Sequence, residues 1–293
     1  MRLVVNIYQY ILQPVSLLSS FSSLPVNTLD VLAAFRLCLG MRQLREEQYR
    51  QHLARPGSTP KSVEDLSFVR NLMATLLVVY GGEAITAPFL GYPPSFMVSP
   101  AIPILYTLMQ AVVEFLPVVP TPSATNELPL ALLDGITRAY LLCNLIPPPV
   151  TNNSSGLLAQ SPWTLLLTSL ITANGGFFLT NLFSFLEPTP LRVQTPPDIQ
   201  PYGWTTTDIW CAPLITGFYA LLTHAQPVWA DIHNVLYELF GLQIEGKQAL
   251  PLDPEVARAN CAMILALLFT GRAIKKFGVL NFRLTSEPKI KMQ

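Results

Sequence analysis

Residues 163–186 read WTLLLTSLITANGGFFLTNLFSFL, an unbroken run without a charged side chain. Wound as an α-helix, this run is about 36 Å long, more than the roughly 30 Å hydrocarbon core of a bilayer. It is the clearest membrane span in the chain. Six further spans are expected at 24–41, 66–90, 97–118, 129–147, 206–224 and 254–271. The one at 129–147 is the weakest, because it carries both Asp134 and Arg138. Composition agrees: hydrophobic residues make up 51% of 293, charged residues only 12%, and mean hydropathy is +0.40. A soluble domain would carry about 25% charged residues.

The Gly175-Gly176 pair inside that first run has a counterpart in the second span. There Gly81-Gly82 is followed by Glu83, Thr86 and the prolines Pro88, Pro93 and Pro94. Each pair lies in the middle helix of a set of three. A three-helix unit joined directly to a second copy faces the opposite way, so the expected fold is all-α. It is a polytopic membrane protein of seven transmembrane helices, arranged as two inverted three-helix repeats plus a C-terminal helix. The repeats cover 24–118 and 129–224, a non-cytosolic (lumenal) connection covers 225–253, and the seventh helix is 254–271. Glycine removes side-chain bulk and weakens the local helix. Inverted repeats with glycine- or proline-interrupted helices at matching positions point to a transport path at the midplane, where freed carbonyls can meet a cation. Close helix packing is the alternative role for the same glycines.

Charge outside the spans is one-sided. Arg42, Arg45, Arg50, Arg55, Lys61, Arg192 and the six basic residues between Arg272 and Lys291 share one side; only Arg2 and Lys247 lie on the other. The positive-inside bias then places the basic tail 272–293 in the cytosol and the start of the first span in the lumen or outside. Residues 1–23, interrupted by Pro14 and a serine-rich stretch, read as an interfacial segment in preference to an extra span or an uncleaved signal. Two overlapping sequons at Asn152 and Asn153 fall in a loop on the lumenal side.

Ionisable groups inside the spans are costly and therefore candidates for function. Glu83 and Glu114 are expected to draw cations towards a watery path. Arg138 follows Asp134 by one turn, so the two are expected to pair, while Asp30 and Arg36 each need a partner on another helix. Arg70 and Arg258, near span ends, are expected to snorkel. Cys38, Cys143, Cys211 and Cys261 sit in apolar stretches without metal-ligand spacing and read as unbonded thiols. His52, His224 and His233 belong to no recognisable catalytic motif, and neither a phosphate loop nor HExxH is present, so no enzyme and no cofactor are expected. The formal net charge of zero gives no reason to expect nucleic acid as a partner.

At these residues the chain resembles the trimeric intracellular cation (TRIC) channel family. Gly82 to Leu108, with Leu90-Gly91-x-Pro93, resembles that family's second helix, bend and third helix. Leu24-Pro25-Val26 with Asp30 resembles its first helix, and Thr172 to Phe185 its glycine-rich fifth helix. The resemblance implies a homotrimer in the endoplasmic reticulum or nuclear membrane, passing K+ as counter-ion for Ca2+ release. It assigns Gly81, Gly82, Gly175 and Gly176 to bends beside the pore. The family's Lys-Glu-Val triplet, which contributes to the pore and to phosphoinositide binding, is absent. Leu133-Asp134-Gly135-Ile136-Thr137-Arg138-Ala139-Tyr140 stands in its place, leaving Arg138 as the one basic group for pore or lipid. A small-solute secondary transporter and a seven-helix receptor or scaffold are the other functions this sequence allows.

Overall fold

The computed structural model describes residues 2–15, 26–54, 67–188, 191–200, 206–240 and 249–277. The expected serine-rich interruption after Pro14, most of the 42–65 loop, Lys247 and nearly all of the basic tail lie outside these residues. The described residues are helical, with no strand beyond an isolated bridge between Pro14 and Asn27.

Twelve α-helices follow one another: α1 (Arg2–Ile11), α2 (Thr28–Leu53), α3 (Phe68–Leu90), the single turn α4 (Ser95–Val98), α5 (Ala101–Glu114), α6 (Ala124–Tyr140), α7 (Pro147–Thr151), α8 (Gly156–Gln160), α9 (Pro162–Leu182), α10 (Thr207–Thr223), α11 (Pro227–Leu239) and α12 (Pro254–Lys276). A π-helical turn, Leu141–Leu145, joins α6 to α7. Four segments are long and apolar enough to cross a bilayer: α3, α6 through α7, α9 and α12. That is fewer than the seven expected, and the reasons are local. Helix α5 has 14 residues and α10 has 17, both short of the roughly 20 needed. Helix α2 is long enough at 26 residues, but it runs to Leu53 and carries Arg42, Arg45 and Arg50 on its second half. The sequence had ended this span at 41. Conversely the 129–147 span, weakest by sequence, is the longest apolar helical segment, 28 residues from Ala124 to Thr151. The apolar helices make the chain a multi-pass membrane protein.

Several ends are fixed by identifiable chemistry. Asn27 caps α2 in a reciprocal box: its Oδ1 accepts from the Asp30 amide at 2.8 Å, and Asp30 Oδ2 accepts from the Asn27 amide at 3.0 Å. Asp30 thus serves its own helix and not a partner on another. Gly91 closes α3 in the left-handed region, φ 73°, where glycine carries no Cβ penalty. Asp253 caps α12 through the amides of Glu255 and Val256. Arg42 caps the end of α5 by donating to the carbonyls of Val113, Glu114 and Leu116. Arg70, expected to snorkel, donates to the carbonyls of Phe185 and Glu187 beyond α9.

The main core lies where α6, the π turn, α10 and α12 meet, around Leu142, Cys143, Ile215, Cys261 and Leu265. Helices α6 and α12 pack so closely that a methyl on Gly135 would sit 2.6 Å from the Ala266 amide nitrogen. Leu90 at the end of α3 clusters with Val150, Leu165 and Ala220, bringing the ends of α3, α7 and α10 to one face of the bundle with the start of α9. At the opposite face, Ala74 near the start of α3 meets Leu186 beyond the end of α9. Helices α3 and α9 are therefore antiparallel, as an inverted repeat requires. Helix α1, ten residues and about 15 Å long, is too short to cross and lies against α12.

Candidate functional site

The two glycine pairs meet at the crossing of α3 and α9. A methyl built on Gly81 would stand 2.9 Å from the Gly176 Cα, and one on Gly175 would stand 3.1 Å from the Gly82 Cα. A methyl on Gly82 would collide with the carbonyls of Ile171 and Thr172; one on Gly176 would collide with those of Leu77 and Val78. In each helix the opposing carbonyls come from the residues four positions before the glycine pair. The contact is thus reciprocal about a pseudo-twofold axis, and each helix fills the space the other's glycines leave.

The expected helix breaks are not found there. Both helices continue through their glycines, α3 from Phe68 to Leu90 and α9 from Pro162 to Leu182. Close approach, not bending, explains the glycines. The threonine four residues beyond each pair turns back on the second glycine: Thr86 donates to the Gly82 carbonyl at 3.2 Å and Thr180 to the Gly176 carbonyl at 2.9 Å. Thr86 also meets the Thr172 hydroxyl at 2.9 Å. Six residues before each pair stands a second matched hydroxyl. Thr75 donates to Gln110 Oε1 on α5 at 2.8 Å, and Ser169 bonds Thr216 on α10 at 2.7 Å. These matched hydroxyls escaped the sequence reading, although the repeated Gly-Gly-x-x-x-Thr spacing carried the signal for one pair of them.

The two acidic candidates are already engaged. Glu83 faces the turn after α3 and accepts from the Ser95 amide at 2.8 Å and hydroxyl at 2.7 Å, which fixes α4. Nearby, burial and then the Glu83 charge push the Tyr92 phenol above its ordinary value. Glu114 accepts from Arg45 on both oxygens at 2.8 and 2.9 Å, from Gln110 at 2.7 Å and from Asn71 at 3.2 Å. Arg45 is buried, so this carboxylate acts as the anchor of a closed network linking α2, α3 and α5 and does not stand free to draw cations. Sequence reading had put Arg45 in a cytosolic loop; only the extension of α2 to Leu53 brings it here.

Arg138 also departs from expectation. Asp134 pairs with Arg36 of α2 at 3.0 Å, where Glu127 at 3.1 Å adds a second carboxylate. Arg138 points to α9 and donates to Asn174 Oδ1 at 2.6 Å, immediately beside Gly175. Among the described residues no carboxylate lies within 4 Å of it, and its buried Nε has no acceptor. The site thus gathers Gly81, Gly82, Gly175, Gly176 and Arg138, and leaves Glu83 and Glu114 to structural roles outside it.

On the Leu90 face, His224 and His233 bond ring nitrogen to ring nitrogen at 2.8 Å, joining α10 to α11. Burial and the His224 charge hold His233 below the ordinary imidazole value. Of the two sequons, Asn152 is exposed, whereas the Asn153 amide donates to the Leu90 carbonyl at 2.7 Å. The four cysteines are unbonded and buried.

The fold and site define an all-helical membrane protein with an internal antiparallel crossing of two matched helices. No family model, no curated protein and no solved structure matches the chain.

Proposed function

We propose that this protein is a membrane channel for monovalent cations, with K+ as the physiological ion, built on the TRIC plan. The observation that carries the reading is the reciprocal crossing of Gly81-Gly82 with Gly175-Gly176, since matched middle helices of inverted units frame the path in transport proteins. The path runs beside the crossing, because the glycines themselves are filled by the partner helix. On this reading the chain has seven crossings, with α2, α5 and α10 completed by their neighbours in a homotrimer. The basic tail is cytosolic, the Leu90 face is lumenal, and the membrane is endoplasmic reticulum or nuclear envelope. Arg138 takes the place of the family's basic pore and phosphoinositide groups.

The same Arg138 favours a second reading. A cation met only by Asn174 beside the crossing suits a carrier for a small anionic solute. Purified protein in planar bilayers under K+ and Na+ gradients separates the two. Discrete current steps reversing near the K+ potential support the channel; saturable, anion-dependent flux without steps supports the carrier. Monodisperse protein that conducts no cation defeats the first reading.

A further inference from the structure

Arg258 lies one turn into α12 and is 5% exposed. It does not snorkel. Its guanidinium turns inward, where NH1 donates to Asn144 Oδ1 on the π turn at 3.2 Å and the carbon centre stacks 4.4 Å from the Tyr8 ring of α1. Tyr8 is the one buried residue of α1, held by its hydroxyl on the Ile136 carbonyl at 2.7 Å. Among the described residues no carboxylate lies within 4 Å of Arg258, and its buried Nε–H has no acceptor. The one carboxylate on this end of α12 that α1 reaches, Glu255, is taken by Gln9 at 3.0 Å.

A buried cation with an amide, an aromatic face and an unused donor is incompletely compensated, and the missing element is an anion. A guanidinium with a free N–H matches a tetrahedral oxyanion best. The flank of α1 beside Tyr8 adds a second chemistry, an open groove of about 430 Å³ lined by Leu3, Asn6, Ile7, Tyr10 and Ile11. Ile11 belongs both to this groove and to the apolar cluster that buries Tyr8. An aliphatic groove adjoining a buried cation suits a molecule with a charged head and a hydrocarbon tail. We propose that Arg258, Asn144 and α1 form a binding site for the phosphate of an anionic membrane lipid, with Tyr8 as its aromatic wall. The site lies on another helix and at another level from Arg138, and it does not depend on the protein conducting ions.

The test uses the full chain in neutral detergent, titrated separately with dioctanoyl phosphatidylglycerol, dioctanoyl phosphatidylcholine and inorganic phosphate. Thermal unfolding and native mass spectrometry are the readouts. The expected result is a midpoint raised by several degrees and retained phosphatidylglycerol, with no response to phosphatidylcholine. Arg258→Gln should weaken binding about ten- to hundredfold, and Arg258→Lys should weaken it less. Arg272→Gln, whose residue pairs with Asp208 elsewhere on α12, should leave binding unchanged. An Arg258-dependent response to inorganic phosphate equal to that of the lipid supports the oxyanion site and assigns it to a soluble anion. If neither ligand acts, or Arg258→Gln binds like the parent, the site does not exist. Should Arg258→Gln fail to fold, competition of inorganic phosphate against bound lipid on the unaltered chain, together with Arg258→Lys, decides the question.

Discussion

The two halves of the molecule, α2–α3–α5 and α6–α9–α10, share a backbone device and differ in electrostatics. Both carry a glycine pair, a threonine four residues beyond it and a hydroxyl six residues before it, and these positions make equivalent contacts. Yet in the first half every intramembrane arginine meets acid: Arg36 has Asp134 and Glu127, and Arg45 has Glu114. In the second half Arg138 meets only an amide. The crossing therefore depends on backbone shape, which symmetry copies, while side-chain charge is free to diverge. Compensated charge reads as scaffold; the uncompensated charge marks where a ligand, ion or lipid has to be considered.

The comparison can be broken most sharply at the glycines. Gly82→Leu and Gly176→Leu should each abolish monodisperse protein in size-exclusion chromatography, because a side chain there meets backbone that cannot yield. Gly91→Ala, with open space but φ 73°, should cost only about 1 kcal/mol. Comparable behaviour of all three would refute the interlocked crossing. Next in size is the contrast of charges. Glu114→Gln strands Arg45 and should cost about 3–5 kcal/mol in unfolding free energy, most of it recovered in an Arg45→Met, Glu114→Met double variant. Arg138→Gln should be neutral or stabilising. If Arg138→Gln destabilises as strongly as Glu114→Gln, the two halves are electrostatically alike after all.

Smaller still are the threonines. Thr180→Val should lower stability by about 1 kcal/mol, and Thr86→Val by somewhat more, since Thr86 also bonds Thr172. Equal and negligible effects in chemical denaturation would remove the hydroxyls from the symmetric device. The least effect belongs to the His224–His233 pair. His233 binds its proton less readily in the folded chain than in the unfolded one. Its contribution is complete above the ordinary imidazole value near 6.5 and is lost as pH falls below it. The unfolding midpoint should drop slightly more between pH 7 and 5 for the parent than for His224→Gln.

Much of the fold was legible. Uncharged length announced α9 and α3, and the matched glycines announced an inverted pair, because both signals are local and periodic. What escaped was partnership. Asp134 sits one turn from Arg138 and suggested an in-helix pair, but Arg36 offers a two-pronged contact from another helix together with Glu127. Arg45 looked like loop because hydropathy falls after Met41, whereas the helix itself persists to Leu53. The role of Glu114 could not be read for the same reason: all but one of its bonding partners come from helices distant in sequence. Glycines reveal where backbones approach; they do not reveal which charges travel with them.

The crossing also divides its two helices into unequal levers. From the glycines, α3 reaches about 20 Å to Phe68 but only about 12 Å to Leu90, and α9 reaches about 20 Å to Pro162 but about 9 Å to Leu182. Because the helices are antiparallel, each face of the bundle receives one long arm and one short arm. A scissoring of α3 against α9 would therefore turn on a fixed fulcrum and sweep the two faces through similar distances, by different helices.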